Sequence, residues 1–145
     1  RAAPVRGYAL SAMGARILVA EDDTKVLQLA KTILVRYGYT VLTAGGSEEA
    51  LALLESSEHQ IDLLLTDVVM PGKNGVALDR EVTHLIPHVR VLFMSGYTED
   101  AFADYSAPRD QFPILKKPFT IESLLSSVSQ VLSSPAASHE GEFHG

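Results

Sequence analysis

The chain has no cysteine. That removes a disulfide framework, a thiol nucleophile and a thiolate metal site, and it fits a reducing compartment. Basic residues are in deficit, with 12 Lys and Arg against 18 Asp and Glu, for a net charge of −6. A chain of that sign lacks the cations that replace counterions on a nucleic acid. No apolar run approaches the ~20 residues that a membrane helix needs. The N-terminus alternates small and basic residues and has no continuous apolar core of a signal peptide. A glycine-rich nucleotide loop and kinase motifs are missing, so the chain is not expected to bind ATP. The histidines, His59, His84, His88, His139 and His144, show no metal-binding spacing. The expectation is a cytoplasmic segment with no direct contact to nucleic acid or membrane.

What remains is the composition of an ordinary globular domain. The 145 residues suffice for one domain, and 46% hydrophobic with 21% charged residues excludes wholesale disorder. The first residue is Arg1, not Met, which suggests an excerpt of a longer protein or a processed or vector-derived end. Residues 1–15 have no clean period and read as linker. Residues 133–145 are small, polar and Gly-containing, and read as a disordered tail.

Between them, in 16–132, short apolar runs alternate with helical patterns. Residues 16–20 (RILVA), 39–44 (YTVLTA), 61–66 (IDLLLT), 90–94 (RVLFM) and 113–116 (PILK) read as strands. Helices are expected at about 23–37, 47–54, 76–86, 98–105 and 120–132. Val26, Ala30, Ile33, Leu34 and Tyr37 mark one face of the first, and Gly38 ends it. Ser47 is the expected cap of the second, and Thr120 of the last. Five short apolar strands alternating with helices predict a parallel sheet covered on both faces, an α/β doubly wound (βα)5 unit. The leading topology is the flavodoxin-like order 2-1-3-4-5.

In such a sheet, ligands bind beyond the carboxyl ends of the strands. Those ends carry Glu21, Asp22 and Asp23 after the first strand, Asp67 after the third, Ser95 after the fourth and Lys117 after the fifth. Clustered carboxylates repel, so at least one should have a raised pKa unless a cation neutralises them. Oxygen donors without Cys or a nearby His favour Mg²⁺, with Mn²⁺ as the alternative, over zinc. A carboxylate, a hydroxyl and an ammonium beside such an ion make a phosphoryl-transfer site with Asp67 as nucleophile. Asp23 has a simpler reading, as the cap of the first helix.

The segments ILVAEDD (17–23), LLLTDVVMPGKNG (63–75), LFMSGYT (92–98) and LKKPF (115–119) resemble, in order, the motifs of the receiver domains of two-component response regulators. The wording of the second and third is most similar to receivers C-terminal to hybrid histidine kinases. The resemblance implies that Asp67 is the phosphoacceptor. It implies that Glu21, Asp22, Asp67 and the backbone carbonyl of Val69 hold Mg²⁺, that Ser95 is the switch hydroxyl, and that Lys117 bonds the phosphoryl group. The Lys117–Pro118 peptide is then expected to be cis. The implied donor is a phosphohistidine on a histidine kinase or histidine phosphotransfer domain. Phosphorylation would change the surface around the fourth strand, the helix after it and the fifth strand, an arrangement compatible with dimerisation. The segment itself would not be an enzyme beyond slow self-dephosphorylation.

Three positions refine that picture. Ile114 stands where many receivers carry a switching aromatic, so a signal would travel through 95–105 instead. Val69 and Tyr97 offer little help to an attacking water, which implies slow loss of the phosphoryl group. Leu27 reads as lying off the core stripe of the first helix, and so as an exposed apolar contact for a partner's helices. Two other classes share parts of this chemistry. A phosphatase of the haloacid-dehalogenase type needs its nucleophile after the first strand in a D-x-D pattern, and a cap for which no residues remain. A flavodoxin-like FMN module needs a phosphate loop where this chain has three acids. A non-phosphorylated protein-binding receiver is disfavoured because every site group is present.

Overall fold

Residues 63–67 (LLLTD) are buried without exception, which requires cover on both faces and a neighbour on each edge. The computed structural model describes residues 14–55, 60–69, 75–96 and 113–133 and supplies both. The strands are β1 (Arg16–Ala20), β2 (Thr40–Ala44), β3 (Leu63–Asp67), β4 (Arg90–Ser95) and β5 (Ile114–Lys116). The helices among the described residues are α1 (Thr24–Arg36), α2 (Ser47–Glu55), α3 (Gly75–Leu85) and α4 (Ile121–Ser133). All strand pairs are parallel, in the expected order β2-β1-β3-β4-β5. The third strand lies slightly later than its apolar run suggested: it starts at Leu63 and takes in Asp67. The helix expected at 98–105 and most of both tails lie outside the described residues. Gly14 and Ala15 are described, and they are tied to the sheet by hydrogen bonds with Gly38 and Thr40.

The two-residue period of the strands divides the core. Ile17, Val19, Leu63, Leu65, Leu92 and Met94 meet Ala30, Ile33 and Leu34 of α1 and Leu124, Leu125 and Val128 of α4. Leu18, Ala20 and Leu64 meet Ala50 and Leu54 of α2 and Leu78 and Val82 of α3. Both faces are apolar because both are covered, and all five strands then point their carboxyl ends to one edge.

Local chemistry fixes the helix ends. Asp23 caps α1, its side chain accepting from the N–H groups of Lys25 and Val26. At the other end Gly38 takes φ +101, and its N–H and that of Tyr39 return to the carbonyls of Val35 and Leu34. This is a Schellman closure, which needs a residue free to adopt positive φ. Thr120 and Ser123 cap α4 reciprocally, each side chain accepting from the other's backbone N–H at 2.9 Å. The cap of α2 is one residue earlier than expected. Gly46, not Ser47, accepts the first helical bond, from Ala50, and Glu49 reaches back to the Gly45 N–H at 2.8 Å. A carboxylate thus takes up an N-terminal donor in the first turn, where the helix dipole also favours it.

Leu27 corrects an expectation. It is half-buried and packs against the α1–α4 core. It precedes Ala30 by three residues and Leu34 by seven, so it shares their face. The exposed apolar side chains of α1 are Leu29 and Val35.

Tyr39 is buried in the same core, and its hydroxyl has no hydrogen-bond partner. Burial alone pushes its pKa above the ordinary 10.0. An unpartnered buried hydroxyl costs free energy that a phenyl ring does not. Tyr39→Phe is therefore expected to stabilise the fold, by about 1 kcal/mol. Urea unfolding of the two proteins checks this, and an equal or lower stability for the Phe variant would contradict it.

Candidate functional site

The site is built at the carboxyl edge, where the ends of β1, β3 and β5 deliver its charged side chains. Glu21 continues the β1–β2 ladder by one bond, its N–H donating to the Ala44 carbonyl at 3.0 Å. Its side chain turns inward and is 1% exposed. Oε2 accepts the Asp23 N–H at 2.9 Å, so the residue that caps α1 also holds the acid in place. Oε1 accepts from Lys117 Nζ at 3.0 Å. The same ammonium donates to Asp67 Oδ2 at 2.8 Å. Asp67 Oδ1 faces the Val69 N–H at 3.4 Å. Asp22 is exposed, yet its carboxylate completes a trio with Glu21 and Asp67 whose oxygens lie within 4.8 Å of one another.

Ser95 ends β4 and is buried, and its carbonyl accepts the Lys117 N–H at 2.8 Å. Lys116 pairs with Ser95 in the register and is exposed, while Lys117 turns to the acids. The Lys117–Pro118 peptide is cis. The Val69 side chain is exposed. Ile114 packs against the small cluster of Val68, Val76 and Phe93, with no aromatic in its place. Tyr97 lies outside the described residues.

Electrostatics defines what this arrangement accepts. Burial, the largest cause, and then the charge of Asp67 raise the Glu21 carboxyl above its ordinary 4.5, against the opposing Asp23 N–H and Lys117. Burial also acts against the Lys117 ammonium, but the hydrogen bonds and charges of Asp67 and Glu21 outweigh it. Its pKa stands above the ordinary 10.5. Three ionised carboxylates against one ammonium leave a local charge of −2, within reach of a small divalent cation. An all-oxygen donor set with one exposed carboxylate suits Mg²⁺, which binds through one or two carboxylates and keeps waters.

The sequence brought Glu21, Asp22, Asp67 and Lys117 to one edge, and the structure joins them. It gave no sign that one lysine would span two acids, because Lys117 and Glu21 are 96 residues apart. It also did not single out two neighbours of Asp67. The Thr66 hydroxyl donates to the Asp67 carbonyl at 3.0 Å. Gly75 passes so close that a Cβ there would collide with that carbonyl oxygen and lie 3.1 Å from Val68 Cα. A glycine eight residues after the acid was the available signal, but a contact across a loop has no period.

The family model of the response regulator receiver domain matches residues 17–129. The chain belongs to that family. Among curated proteins, this receiver is 36% identical over 118 residues to the sensor kinase CckA of Brucella abortus, matching 81% of this chain and 12% of that one. It is 35% identical to the response regulator receiver protein CpdR of the same organism, matching 81% of this chain and 96% of the other. It therefore spans nearly all of one relative and about an eighth of the other. A crystal structure of the receiver domain from the hybrid histidine kinase CckA is similar at TM-score 0.67 and 34% identity, covering 81% of this chain and 98% of that one. A receiver protein from Sinorhizobium medicae WSM419 gives TM-score 0.72 at 27% identity, covering 83% and 96%. Receiver domains are phosphoacceptor switches of two-component signalling and bind Mg²⁺ at an acidic pocket. No helix among the described residues is long and apolar enough to cross a membrane.

The stability of the metal-free receiver should depend on pH through Glu21 and Lys117. Glu21 binds its proton more tightly folded than unfolded, so its contribution to stability is full below pH 4.5 and is lost as pH rises through its raised folded value. Lys117 also has a raised value, so its contribution persists through neutral pH and is lost only above 10.5. In EDTA, the wild type should lose stability between acid and neutral pH relative to Glu21→Gln. Added Mg²⁺ should raise the wild-type melting temperature at neutral pH and do so less as the carboxylates protonate. Thermal melts across pH check both, and an Mg²⁺ effect independent of pH would contradict the second.

Proposed function

We propose that Asp67 is the phosphoacceptor of this receiver, and that its donor is a phosphohistidine on a histidine kinase or histidine phosphotransfer domain. The observation that carries this reading is the lysine shared by two buried carboxylates, with Asp22 open to solvent beside them. Glu21, Asp22, Asp67 and the backbone carbonyl of Val69 would hold Mg²⁺, with Mn²⁺ as an alternative. The bound ion would supply charge stabilisation for the oxygens of the phosphoryl group. Within this reading one Asp67 carboxylate oxygen attacks phosphorus. The new O–P bond forms as the P–N bond breaks, and the electron pair leaves with the imidazole nitrogen, which takes up a proton. Lys117 leaves its hold on the Asp67 oxygen for a phosphoryl oxygen, and the Ser95 hydroxyl bonds another.

The likeness to CckA suggests a place within a hybrid kinase, and the likeness to CpdR a single-domain regulator. We favour the hybrid setting, in the cytoplasm, with 1–15 as linker and 133–145 as tail. With Ile114 in place of an aromatic, the output surface would respond through the segment after Ser95. No catalytic turnover is attributed to the segment beyond slow self-dephosphorylation, because exposed, apolar Val69 offers an attacking water no hydrogen bond.

Two measurements test this. Intact mass after incubation with acetyl phosphate should show one added phosphoryl group that requires both Mg²⁺ and Asp67. The Asp67→Asn protein or an EDTA control that gains the same mass would refute the assignment. The phosphorylated protein, isolated and followed in Mg²⁺, should decay slowly, and Val69→Asn should decay faster by supplying a polar group to the water. Equal decay of the two would remove the role given to Val69.

A further inference from the structure

Thr66 is the one hydroxyl on an otherwise apolar stretch of β3. The register pairs it with Ala20, which places it on the α2–α3 face with Leu64. It is fully buried. Core packing alone would be met there by Val, which has the same shape and no polar atom. The hydroxyl donates to the Asp67 carbonyl at 3.0 Å.

That peptide needs a holder. On the β1 side the register ends at Ala20 and Thr66, so Asp67 overhangs it by one residue. On the β4 side the Val68 N–H reaches the Met94 carbonyl at 3.0 Å. The Val68 carbonyl accepts the Gly75 N–H at 2.8 Å. Gly75 passes beside the Asp67 carbonyl so closely that any Cβ there would collide with it. The Asp67–Val68 peptide is thus held at its own carbonyl and N–H, the Val68 carbonyl that follows it is also held, and Gly75 packs against one side. The carboxylate of Asp67 hangs from this unit, and the Val69 carbonyl follows two peptides later.

We propose that the Thr66 hydroxyl, with Gly75, is a backbone clamp that sets the position of the Asp67 carboxylate, making Thr66 a positioning residue for phosphoryl uptake. The inference rests on the phosphoacceptor reading above. A reacting oxygen displaced by a fraction of an ångström loses rate steeply, because the attack needs alignment on phosphorus. The same displacement weakens a small ion that tolerates little departure from octahedral geometry.

The test uses Thr66→Val, which keeps the shape and loses the hydroxyl, and Thr66→Ser, which keeps the hydroxyl and loses a buried methyl group. Three quantities are read on each: melting temperature, the Mg²⁺ dissociation constant by calorimetry, and the rate of phosphoryl uptake from acetyl phosphate at saturating Mg²⁺. For a clamp, the Val variant melts close to the wild type, yet takes up the phosphoryl group about tenfold more slowly and binds Mg²⁺ more weakly. The Ser variant melts lower but keeps near-wild-type uptake and Mg²⁺ affinity. A Val variant within twofold of the wild type in both uptake and affinity overturns the inference. So does uptake that falls with melting temperature across the set, since that is a packing effect. Absence of uptake by the wild type itself overturns the phosphoacceptor reading and this role with it, whereas normal wild-type uptake with an indifferent Val variant removes the clamp alone.

Discussion

Lys117 donates to Glu21 and Asp67 at 3.0 and 2.8 Å, and both carboxylates are buried. Two negative charges so close, largely out of water, repel strongly, and one ammonium bridges both. The rest of the edge follows from that demand. Glu21 needs a donor for its second oxygen and finds it in the N–H of Asp23, which is itself fixed by capping α1. The backbone at Asp67 is in contact with Thr66, Met94 and Gly75. Lys117 must come from the last strand to reach both acids, which ties the β5 edge to the centre of the sheet.

The arrangement keeps an acidic group buried against its preference for water. The Glu21 carboxyl resists ionisation mainly because it is buried, and Lys117 offsets only part of the excess negative charge. Under the proposed function, a cation, or a phosphoryl group entering with its ion, would complete this charge, and binding energy would become available where stability was forgone. The two apolar layers beneath, one under α1 and α4 and one under α2 and α3, supply the stability that makes this tolerable.

Much of this was legible residue by residue. The strands could be read because short apolar runs buried on both faces suit a covered parallel sheet, and the strand ends then brought Glu21, Asp22, Asp67 and Lys117 to one edge. Asp23 and Thr120 could be read as caps because their contacts are local. Leu27 was misread because a stripe drawn from Val26 leaves it aside, whereas its spacing from Ala30 and Leu34 places it on the core. Ser47 was misread because Gly46 needs no side chain to end a turn and let Ala50 donate to its carbonyl.

By itself the sequence determined the alternation of strands and helices, the edge on which the polar groups lie and the sign of the charge there, since each follows from neighbours within a few residues. The tertiary structure alone decided that Lys117 is shared by two acids, that Thr66 and Gly75 close on the Asp67 peptide, and that Ile114 sits among Val68, Val76 and Phe93. These contacts join distant elements through ångström-scale packing of whole layers, and no local pattern encodes that distance.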